Sequence, residues 1–539
     1  MQKIRYFCLS LLLLFSLFGS SLISAAPSVT HEIVILHTND THGHPLNFFD
    51  TPTPDAGGLA ARFTLVNQIR SKYENVLLLD AGDINTGRPE SNFFKAEPDI
   101  KGYNLIGYDA MALGNHEFDN SLDILKKQME LAKFPFLSAN VKTKDGKYVG
   151  LPYIIKEFQG LKVAIFGLTT TETTIMSPDI IKNLIFEDEI AVASKLVPEL
   201  KKKADIVIAL VHMGLYNDDT QGSKSLAKNV PDIDLIIDGH SHTKLETPVL
   251  VGNTPIVQAY QWGLYLGKAV FTVQNKSVVK FSWDQLPINL RVSVKNADGK
   301  TELKYITEAI PEDPSVLAVL KPYADQVGTE LAKIIATAET VFPNKEVRLQ
   351  ETALGDLIAD SMLWYTKNLK TDFAIQNSGG IRTDLPAGVI AKKNIYEILP
   401  FDNSITVLTL KGSDVQALFD FIATVPQGKG AFPQVSDGVK FTINYNTGKC
   451  ENILIHGKPI DPNYNYKIAT NSFMATGGDG YAAFTKAIDK FETSVFQRDA
   501  FIDYIIYLGG KLKPEVKGRI QIIGQKLALF IEKIIKIAA

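Results

Sequence analysis

The sequence predicts an α/β protein of two domains. Short apolar runs rich in β-branched residues and leucine recur from Ile33 to about Phe281, and each ends in a polar turn that a helical stretch often follows. Runs that are apolar throughout are typical of strands buried on both faces of a sheet. The chain has 539 residues, whereas a single hydrophobic core stops growing at about 250–300 residues. A second domain is therefore expected after the first.

The N-terminal segment 1–26 is expected to be a secretory signal peptide. Lys3 and Arg5 precede an apolar run, 6–18, and small residues follow up to Ala26. The run is shorter than the ~20 apolar residues that a membrane span requires, which favours a cleaved signal over an anchor helix. The pattern predicts export to the periplasm or the extracellular space, with no stable membrane anchor.

The first domain is expected over residues 27–312. Its strands are predicted at IVIL (33–36), VLLL (76–79), DAMAL (109–113), VAIFGL (163–168), IVIAL (206–210) and LII (235–237), with a weaker signal at AVFTV (269–273). Helix-periodic segments between some of these runs indicate that helices cover the sheet.

A helical linker is expected over residues 313–336, because apolar residues recur there at helical spacing and no glycine-rich stretch interrupts them. The second α/β domain is expected over 337–524. Its predicted elements are a helix near 353–369, strands at 373–375, 439–445 and 466–470, and a strand–turn–helix unit over 404–422. Residues 525–539 are expected to form an amphipathic tail packed on the body.

Composition excludes some classes of partner. The chain is 45% apolar and 21% charged, with a formal net charge of −3, which is typical of a soluble globular protein. A chain without a basic excess is not expected to bind nucleic acid or an anionic membrane surface. Nothing in the sequence indicates an oligomeric state.

Polar residues, including most of the nine histidines, follow the predicted strands directly. Reactive groups in open α/β sheets gather outside the carboxyl ends of the strands. Carboxylates and imidazoles that converge in one crevice stay unsatisfied without a cation, so these strand ends predict a metal site. The seven candidate ligands are Asp40, His42, Asp83, Asn115, His212, His240 and His242.

Seven ligands exceed what one tetrahedral metal with an open position needs. They suit two divalent ions if one carboxylate bridges them. Mixed oxygen and nitrogen ligands favour Zn, Mn, Fe or Co, and Mg is a further candidate. Two metals about 3.5–4 Å apart can clamp the attacking and leaving oxygens of phosphoryl transfer, with a bridging hydroxide as the nucleophile.

The motifs ND-x-H, GD, GNHEFD, VH and GHSH, in this order, resemble those of the calcineurin-like metallophosphoesterases. Over about Glu32 to Ile520, the chain resembles the secreted 5′-nucleotidase/UDP-sugar hydrolase family. The resemblance implies an N-terminal four-layer metallophosphoesterase β-sandwich flanked by helices, followed by an α/β substrate-binding domain. It assigns one metal to Asp40, His42 and His242, the second to Asn115, His212 and His240, and the bridge to Asp83.

The resemblance also implies roles for residues around the substrate. His116 would lie on the leaving-group side of the phosphate and Asp119 would orient it, since a histidine there can donate a proton. Phe401 and Phe473 would sandwich a nucleobase, and Asp479 would bind ribose hydroxyls. The full implied substrate set is Asn377, Arg382, Phe401, Asn403, Phe473, Asp479 and Arg348. Because this set and the metals lie on different domains, a domain rotation is expected to join them.

The expected function is hydrolysis of nucleoside 5′-monophosphates, such as AMP, to nucleoside and phosphate by in-line attack of the bridging hydroxide. Hydrolysis of UDP-sugars or of nucleoside di- or triphosphates, and of 2′,3′-cyclic nucleotides, are alternatives within the enzymes. Outside the enzymes, the alternative is a nucleotide-binding surface protein without catalytic activity. The intact set of candidate metal ligands argues against this alternative.

Overall fold

The computed structural model describes residues 30–50, 52–176, 181–216, 219–296 and 298–525. The predicted signal peptide and the predicted C-terminal tail after residue 525 lie outside this range. Within it, no helix combines the length and the apolar character that crossing a membrane would require.

The first domain contains two six-stranded sheets, in the orders β16-β15-β1-β4-β5-β6 and β13-β14-β12-β11-β9-β8. Its strands are β1 (Thr30–Thr38), β2 (Phe48–Asp50), β3 (Thr53–Ala56), β4 (Val76–Asp80), β5 (Ala110–Ala112), β6 (Phe136–Leu137), β7 (Val141–Thr143), β8 (Tyr153–Phe158), β9 (Leu161–Thr169), β10 (Leu184–Phe186), β11 (Ile206–His212), β12 (Leu235–Ile237), β13 (Val249–Val251), β14 (Thr254–Val257), β15 (Tyr265–Gln274), β16 (Ser277–Pro287), β17 (Arg291–Lys295) and β18 (Thr301–Tyr305). Its helices are α1 (Leu59–Arg70), α2 (Pro89–Asn92), α3 (Glu97–Ile106), α4 (Leu122–Leu131), α5 (Thr173–Met176), α6 (Glu189–Lys201) and α7 (Gly222–Asn229).

The alternation of side chains along each strand explains the layers. In β1, Ile33 and Ile35 enter the core between the two sheets, whereas Val34 and Leu36 face the core shared with α1 and α3. The second sheet contributes to the same central core and is covered on its other face by α6 and α7. Both faces of the central strands are therefore buried, which is why their sequences are apolar throughout. The order helix, sheet, sheet, helix confirms the predicted four-layer fold.

Parallel pairing brings the ends of the predicted strands to one edge. β1, β4 and β5 are parallel neighbours in the first sheet, and β9, β11 and β12 are parallel neighbours in the second. Every predicted run coincides with one of these strands, and the weaker signal at 269–273 lies within β15.

The predicted linker helix is correct over α8 (Pro314–Leu331) and wrong beyond it. Asp313 caps its start by accepting the N–H of Ser315 at 2.8 Å. Ile334 instead begins β19 (Ile334–Ala338), which pairs with two other strands of the second domain. The apolar pair at 334–335 fits either periodicity, and the strand edges provided by the second domain decide between them.

The second domain is built on a five-stranded sheet, β23-β20-β27-β22-β28, with smaller sheets β26-β25-β24-β30 and β21-β19-β29. Its other strands are β20 (Phe373–Asn377), β21 (Gly388–Ala391), β22 (Ser404–Lys411), β23 (Pro433–Val435), β24 (Val439–Asn444), β25 (Lys449–Ile455), β26 (Lys458–Pro459), β27 (Asn465–Asn471), β28 (Asp489–Phe496), β29 (Lys511–Leu512) and β30 (Ile520–Ile523). Its helices are α9 (Ala353–Tyr365), α10 (Lys392–Ile398), α11 (Gly412–Ile422), α12 (Ser472–Ala475) and α13 (Gln497–Tyr507). The helix predicted near 353–369 thus ends at Tyr365, and a 3₁₀ turn follows over 367–369.

A pair of buried carboxyl groups joins the start of α9 to the C-terminal segment. Glu351 and Asp356 accept the backbone N–H of Lys517 at 3.1 and 3.2 Å. Glu351 also accepts the N–H of Ile520 at 2.7 Å, and Arg519 Nη1 lies 3.6 Å from Asp356 Oδ1. Burial raises the pKa of Asp356 to about 8, with the charge of Arg519 opposing the rise and that of Glu351 adding to it.

Asp356→Asn is expected to stabilise the protein increasingly as the pH rises. An unfolded aspartate has a pKa of about 3.9, so between about pH 4 and 8 the folded chain holds a proton that the unfolded chain has released. The free energy of unfolding therefore falls with rising pH, and an amide removes this dependence. At pH 8 the free energy of unfolding of the variant should exceed that of the wild-type protein by at least about 1 kcal/mol. The difference should appear as a higher thermal midpoint of the variant when unfolding is measured over a series of pH values.

Asp360→Asn is the matched control. It removes the 2.8 Å ion pair between Asp360 Oδ2 and Arg519 Nη2, so it should not raise the midpoint at any pH. Parallel pH profiles for Asp356→Asn and the wild-type protein would contradict the prediction.

Candidate metal centre and substrate pocket

The loops that follow β1, β4, β5, β11 and β12 meet at one edge of the sandwich. Ligand atoms there form three overlapping groups, each within 4.8 Å: Asp40, His42 and His242; Asp83, His212 and His240; and His42, Asp83 and His116. Asn115 joins them, because its Oδ1 is 2.8 Å from His240 Nδ1. The structure therefore brings together all seven predicted ligands, and it places His116 beside them as well.

Asp83 lies between the two halves of the cluster. Its Oδ2 is 2.9 Å from His212 Nε2 and 3.7 Å from His42 Nε2. Asp40 Oδ1 lies 3.4 Å from His242 Nε2. Both carboxylates are fully buried. Asp83 thus has the position that a carboxylate shared by two cations would need.

Partners outside the cluster set which ring nitrogen each histidine presents. His42 Nδ1 lies 3.0 Å from the Asn85 carbonyl oxygen, and His212 Nδ1 lies 2.7 Å from the Ala81 carbonyl oxygen. A carbonyl only accepts, so Nδ1 carries a proton in both rings, and in the neutral form of each ring Nε2 would present its lone pair to the cluster. This is the tautomer that a metal ligand requires.

The cluster fits cations by the chemistry of its atoms. His212 Nε2 is buried and, among the described residues, has no hydrogen-bond partner, although Asp83 Oδ2 is close. His42 Nε2 and His242 Nε2 face each other at 3.1 Å. Burial opposes ionisation of Asp83, but the charges of His212 and His116 hold its pKa well below the usual range. Ionised carboxylates and facing nitrogens are the arrangement that bound divalent ions would satisfy.

Most of the ligands occupy left-handed backbone. Asp40, His42, Asp83, His240 and His242 have φ between 42° and 77°, a region that costs a non-glycine residue of order 1 kcal/mol or more. Backbone hydrogen bonds between loops hold these turns: the N–H groups of Asp40 and His42 donate to the carbonyls of Gly82 and Asp83, each at 2.9 Å. These hydrogen bonds tie the turn after β1 to the turn after β4.

Two buried carboxylates that the sequence analysis missed organise these loops. Glu117 accepts the backbone N–H groups of Asp83, Ile84 and Gly114 at 2.9, 3.0 and 2.6 Å. Asp238 accepts three more N–H groups, from the loops after β11 and β12. Both lie inside motifs that the sequence analysis used, GNHEFD and DGHSH. An acidic residue in each motif that had been given no role was the signal that could have identified them.

His116 and Asp119 form the predicted pair. His116 Nδ1 lies 2.5 Å from Asp119 Oδ2, and the Thr86 hydroxyl also donates to that oxygen. Burial opposes protonation of His116, but the charges of Asp119 and Asp83 raise its pKa to about 9. The imidazole is thus fixed through Nδ1 and favours its protonated form.

A cavity of about 350 Å³ in the second domain is lined by all seven predicted substrate residues, which are Arg348, Asn377, Arg382, Phe401, Asn403, Phe473 and Asp479. Phe401 and Phe473 are 49% and 44% exposed, so neither is a core residue. Asn377 Nδ2 donates to Asp479 Oδ2 at 2.7 Å, and the Arg382 guanidinium lies 5.8 Å from the centre of the Phe401 ring. The pocket offers two aromatic faces, a carboxylate and two arginines.

This pocket does not open onto the metal cluster in the present arrangement of the domains. No predicted metal ligand is among the lining residues of the pocket within the described part of the chain. The cluster is instead covered by β28: Ser494 Oγ is 3.3 Å from His242 Nε2, and the Phe491 ring lies 6.2 Å from the His240 ring.

Two family models match the two domains. The calcineurin-like phosphoesterase model matches residues 33–244, and the 5′-nucleotidase C-terminal domain model matches residues 333–486. Over 510 residues, the chain is 38% identical to a Vibrio cholerae protein named 5′-nucleotidase, covering 88% of this chain and 90% of that protein. The chain belongs to the 5′-nucleotidase family.

Other members of the 5′-nucleotidase family agree. Protein UshA of Escherichia coli is 36% identical over 512 residues, covering 88% of this chain and 91% of that protein. The structure of Haemophilus influenzae NAD nucleotidase aligns with a TM-score of 0.76 at 25% identity, over 92% of this chain and 99% of that chain. A Thermus thermophilus 5′-nucleotidase precursor aligns with a TM-score of 0.54 at 30% identity, over 92% and 100%. These relatives confirm the predicted family, fold class and enzyme class, a metal-dependent phosphomonoester hydrolase that uses divalent metal.

Gly87→Ala is expected to damage the metal centre without touching a ligand side chain. A Cβ at Gly87 would lie 1.7 Å from the His42 carbonyl oxygen, so the loop that carries His42 must move. The expected cost is about 1–3 kcal/mol of stability, together with metal content below that of the wild-type protein, measured by elemental analysis after loading with Zn or Mn.

Gly328→Ala in α8 is the control, because a Cβ there meets no atom within 4 Å. That variant should keep its metal and gain up to about 1 kcal/mol. Full metal content and an unchanged thermal midpoint in Gly87→Ala would show that the loop is not constrained in this way.

Proposed function

We propose that this chain is an exported dinuclear 5′-nucleotidase that hydrolyses nucleoside 5′-monophosphates such as AMP to nucleoside and phosphate. The observation that carries the proposal is the position of Asp83 between two groups of ligands, one on each side. The relatives named 5′-nucleotidase, at 36–38% identity, support a nucleotide substrate. The signal-like sequence of residues 1–26 supports export.

Each half of the cluster would hold one ion. Asp40, His42 and His242 would hold the first, and Asn115, His212 and His240 would hold the second, with Asp83 shared; we refer to these as the first and second metal sites. Zn, Mn, Co and Mg are the candidates for both. When bound, two such cations supply a water of lowered pKa and neutralise charge on the phosphate.

His116 would protonate the departing ribose 5′-oxygen. Its raised pKa keeps a proton available near neutral pH, and because its bond to Asp119 uses Nδ1, Nε2 would face the substrate. Transfer of this proton to the leaving group avoids the release of an alkoxide.

The substrate pocket would hold the nucleoside. Phe401 and Phe473 would stack on the base, an interaction worth about 1–3 kcal/mol per base in single-stranded nucleic acids. Asp479 would accept hydrogen bonds from the ribose hydroxyls. Asn377, Asn403, Arg382 and Arg348 would make the remaining polar contacts, with arginine suited to phosphate.

A rotation of one domain against the other would deliver this pocket to the metals. The need for motion follows from the present arrangement, in which β28 covers the cluster and the pocket opens elsewhere. Substrate would bind to the second domain, and closure would exclude water from the reacting groups.

Cleavage of a dinucleotide or diphosphate is a second candidate function. The structural likeness to a protein described as an NAD nucleotidase favours it. The same two metal sites and base-binding pocket would serve a phosphoanhydride, since only the leaving group differs.

The direct test is phosphate release from AMP. Metal should be removed with a chelator and restored with Zn or Mn, using AMP, ADP, UDP-glucose, NAD and a 2′,3′-cyclic nucleotide as substrates. Hydrolysis of AMP should vanish on chelation and return with metal. Nucleotide binding with no turnover of any substrate after metal is restored would contradict the proposal and favour a nucleotide-binding surface protein.

His116→Ala should lower kcat on AMP by about 10²–10⁴-fold, with little change in KM or metal content, because the proton donor is lost while the ligands remain. His456→Ala is the control, since that side chain is 57% exposed in the second domain. Undiminished AMP hydrolysis by His116→Ala would remove this residue from the mechanism.

A further inference from the structure

We infer that Glu172 is a positioning residue of the second metal site, acting through His240; the inference rests on the proposed dinuclear function. Glu172 Oε2 lies 2.8 Å from His240 Nε2, on the side of the ring away from the cluster. His240 Nδ1 lies 2.8 Å from Asn115 Oδ1, on the side of the cluster. The ring is therefore held between a carboxylate and a predicted ligand.

The chemistry of these atoms defines what Glu172 does. A carboxylate only accepts, so its bond to Nε2 keeps a proton there, and the neutral ring, which is the form that can coordinate a metal, then has its lone pair on Nδ1. That lone pair faces Asn115 Oδ1, which is itself an acceptor. Two acceptors at 2.8 Å repel unless a cation lies between them. Glu172 thus selects the tautomer in which Nδ1 and Oδ1 can both coordinate one ion.

His240 differs from His42 and His212 in the ring nitrogen that faces the cluster and in the partner of the other nitrogen. His42 and His212 donate from Nδ1 to neutral backbone carbonyls and present Nε2. His240 presents Nδ1 and has a charged partner. A carboxylate behind a ligating imidazole makes the imidazole a stronger donor than a carbonyl does. We therefore expect the affinity of the second metal site to depend on a carboxylate outside the ligand set.

Hydrogen bonds to residues beside the second metal site fix the position of Glu172. It follows the carboxyl end of β9, where its N–H donates to Thr170 Oγ1 at 3.2 Å, and the Thr170 N–H donates to the His212 carbonyl at 2.9 Å. The Tyr216 hydroxyl also hydrogen-bonds its carboxylate. Glu172 thus ties His240 to the strand that carries His212, so two ligands of one ion share a single support.

The test compares metal binding in Glu172→Ala, Glu172→Gln and the control Glu199→Ala. Glu199 is a surface acid of the same domain, with a side chain 57% exposed. The metal-free proteins are titrated with Zn against a chromophoric chelator to obtain both affinities, and with Co to record the absorption of each bound ion.

In Glu172→Ala, one of the two Zn affinities should fall by about 10–100-fold, and the Co absorption of the same equivalent should change. The other affinity should stay within about threefold of the wild-type value. Glu172→Gln should lie between, because its carbonyl oxygen still accepts from Nε2 without the charge. Its near-identical shape keeps the test valid if Glu172→Ala fails to fold.

Two affinities equal to those of the wild-type protein in both variants would overturn the inference. An equal loss at both sites would also overturn it, because that pattern indicates a general structural role. Failure of the proposed function is separable, since it would appear as absent metal binding or absent AMP hydrolysis in the wild-type protein and in Glu199→Ala.

Discussion

The structure depends on the burial of carboxylates and imidazoles at one edge of a close-packed sandwich. Asp40 and Asp83 are fully buried among histidines, and burial alone would drive them to take up protons. They remain anionic because positive charge is built around them, which bound cations would complete. Every loop at this edge is shaped by that requirement. The left-handed turns aim the ligands inward, and Glu117 and Asp238 gather the backbone N–H groups that those turns leave unpaired.

The candidate metal ligands lie on the first domain, and the residues of the predicted substrate pocket lie on the second. The ligands lie directly after strands buried on both faces, where the backbone has little freedom to shift. The predicted substrate residues line a cavity of the second domain. Contacts such as the ion pair between Arg88 and Asp402, at 2.5 Å, join the domains through a residue that stands next to Phe401. The rotation that we propose would therefore change the position of the pocket without changing the geometry of the candidate ligands.

His42, His212 and His240 each have a hydrogen-bond partner on the side of the ring away from the cluster, and that partner determines which nitrogen faces the cluster. Backbone carbonyls behind His42 and His212 cannot be altered by substitution, so those tautomers are properties of the fold. The partner of His240 is a side chain, and it faces a small cavity between the domains that Phe491 of β28 also lines. The support of His240, a candidate ligand, thus reaches the interface between the domains.

The sequence by itself determined the central strands and the candidate metal ligands, because both follow from local patterns of side chains, whereas the pocket residues were predicted from the resemblance to a family. An apolar run buried on both faces predicts a strand, and a histidine or aspartate directly after it predicts a place at the sheet edge. The seven predicted ligands are gathered in the structure for this reason, and the seven residues that the resemblance implied line one cavity. Local pattern failed at Ile334, where helical and strand periodicities both fit and pairing with β21 decided the outcome.

Only the tertiary structure decided which nitrogen each histidine presents, which acids support the loops and where the pocket opens. Glu172 and His240 are 68 residues apart. In the sequence alone, an acidic residue that follows a strand is readily interpreted as a helix cap. Its partner becomes visible only when two parallel strands bring their ends together. The covering of the cluster by β28 likewise joins residues 252 positions apart, His242 and Ser494. Such contacts depend on the packing of whole domains, which no local pattern of side chains encodes.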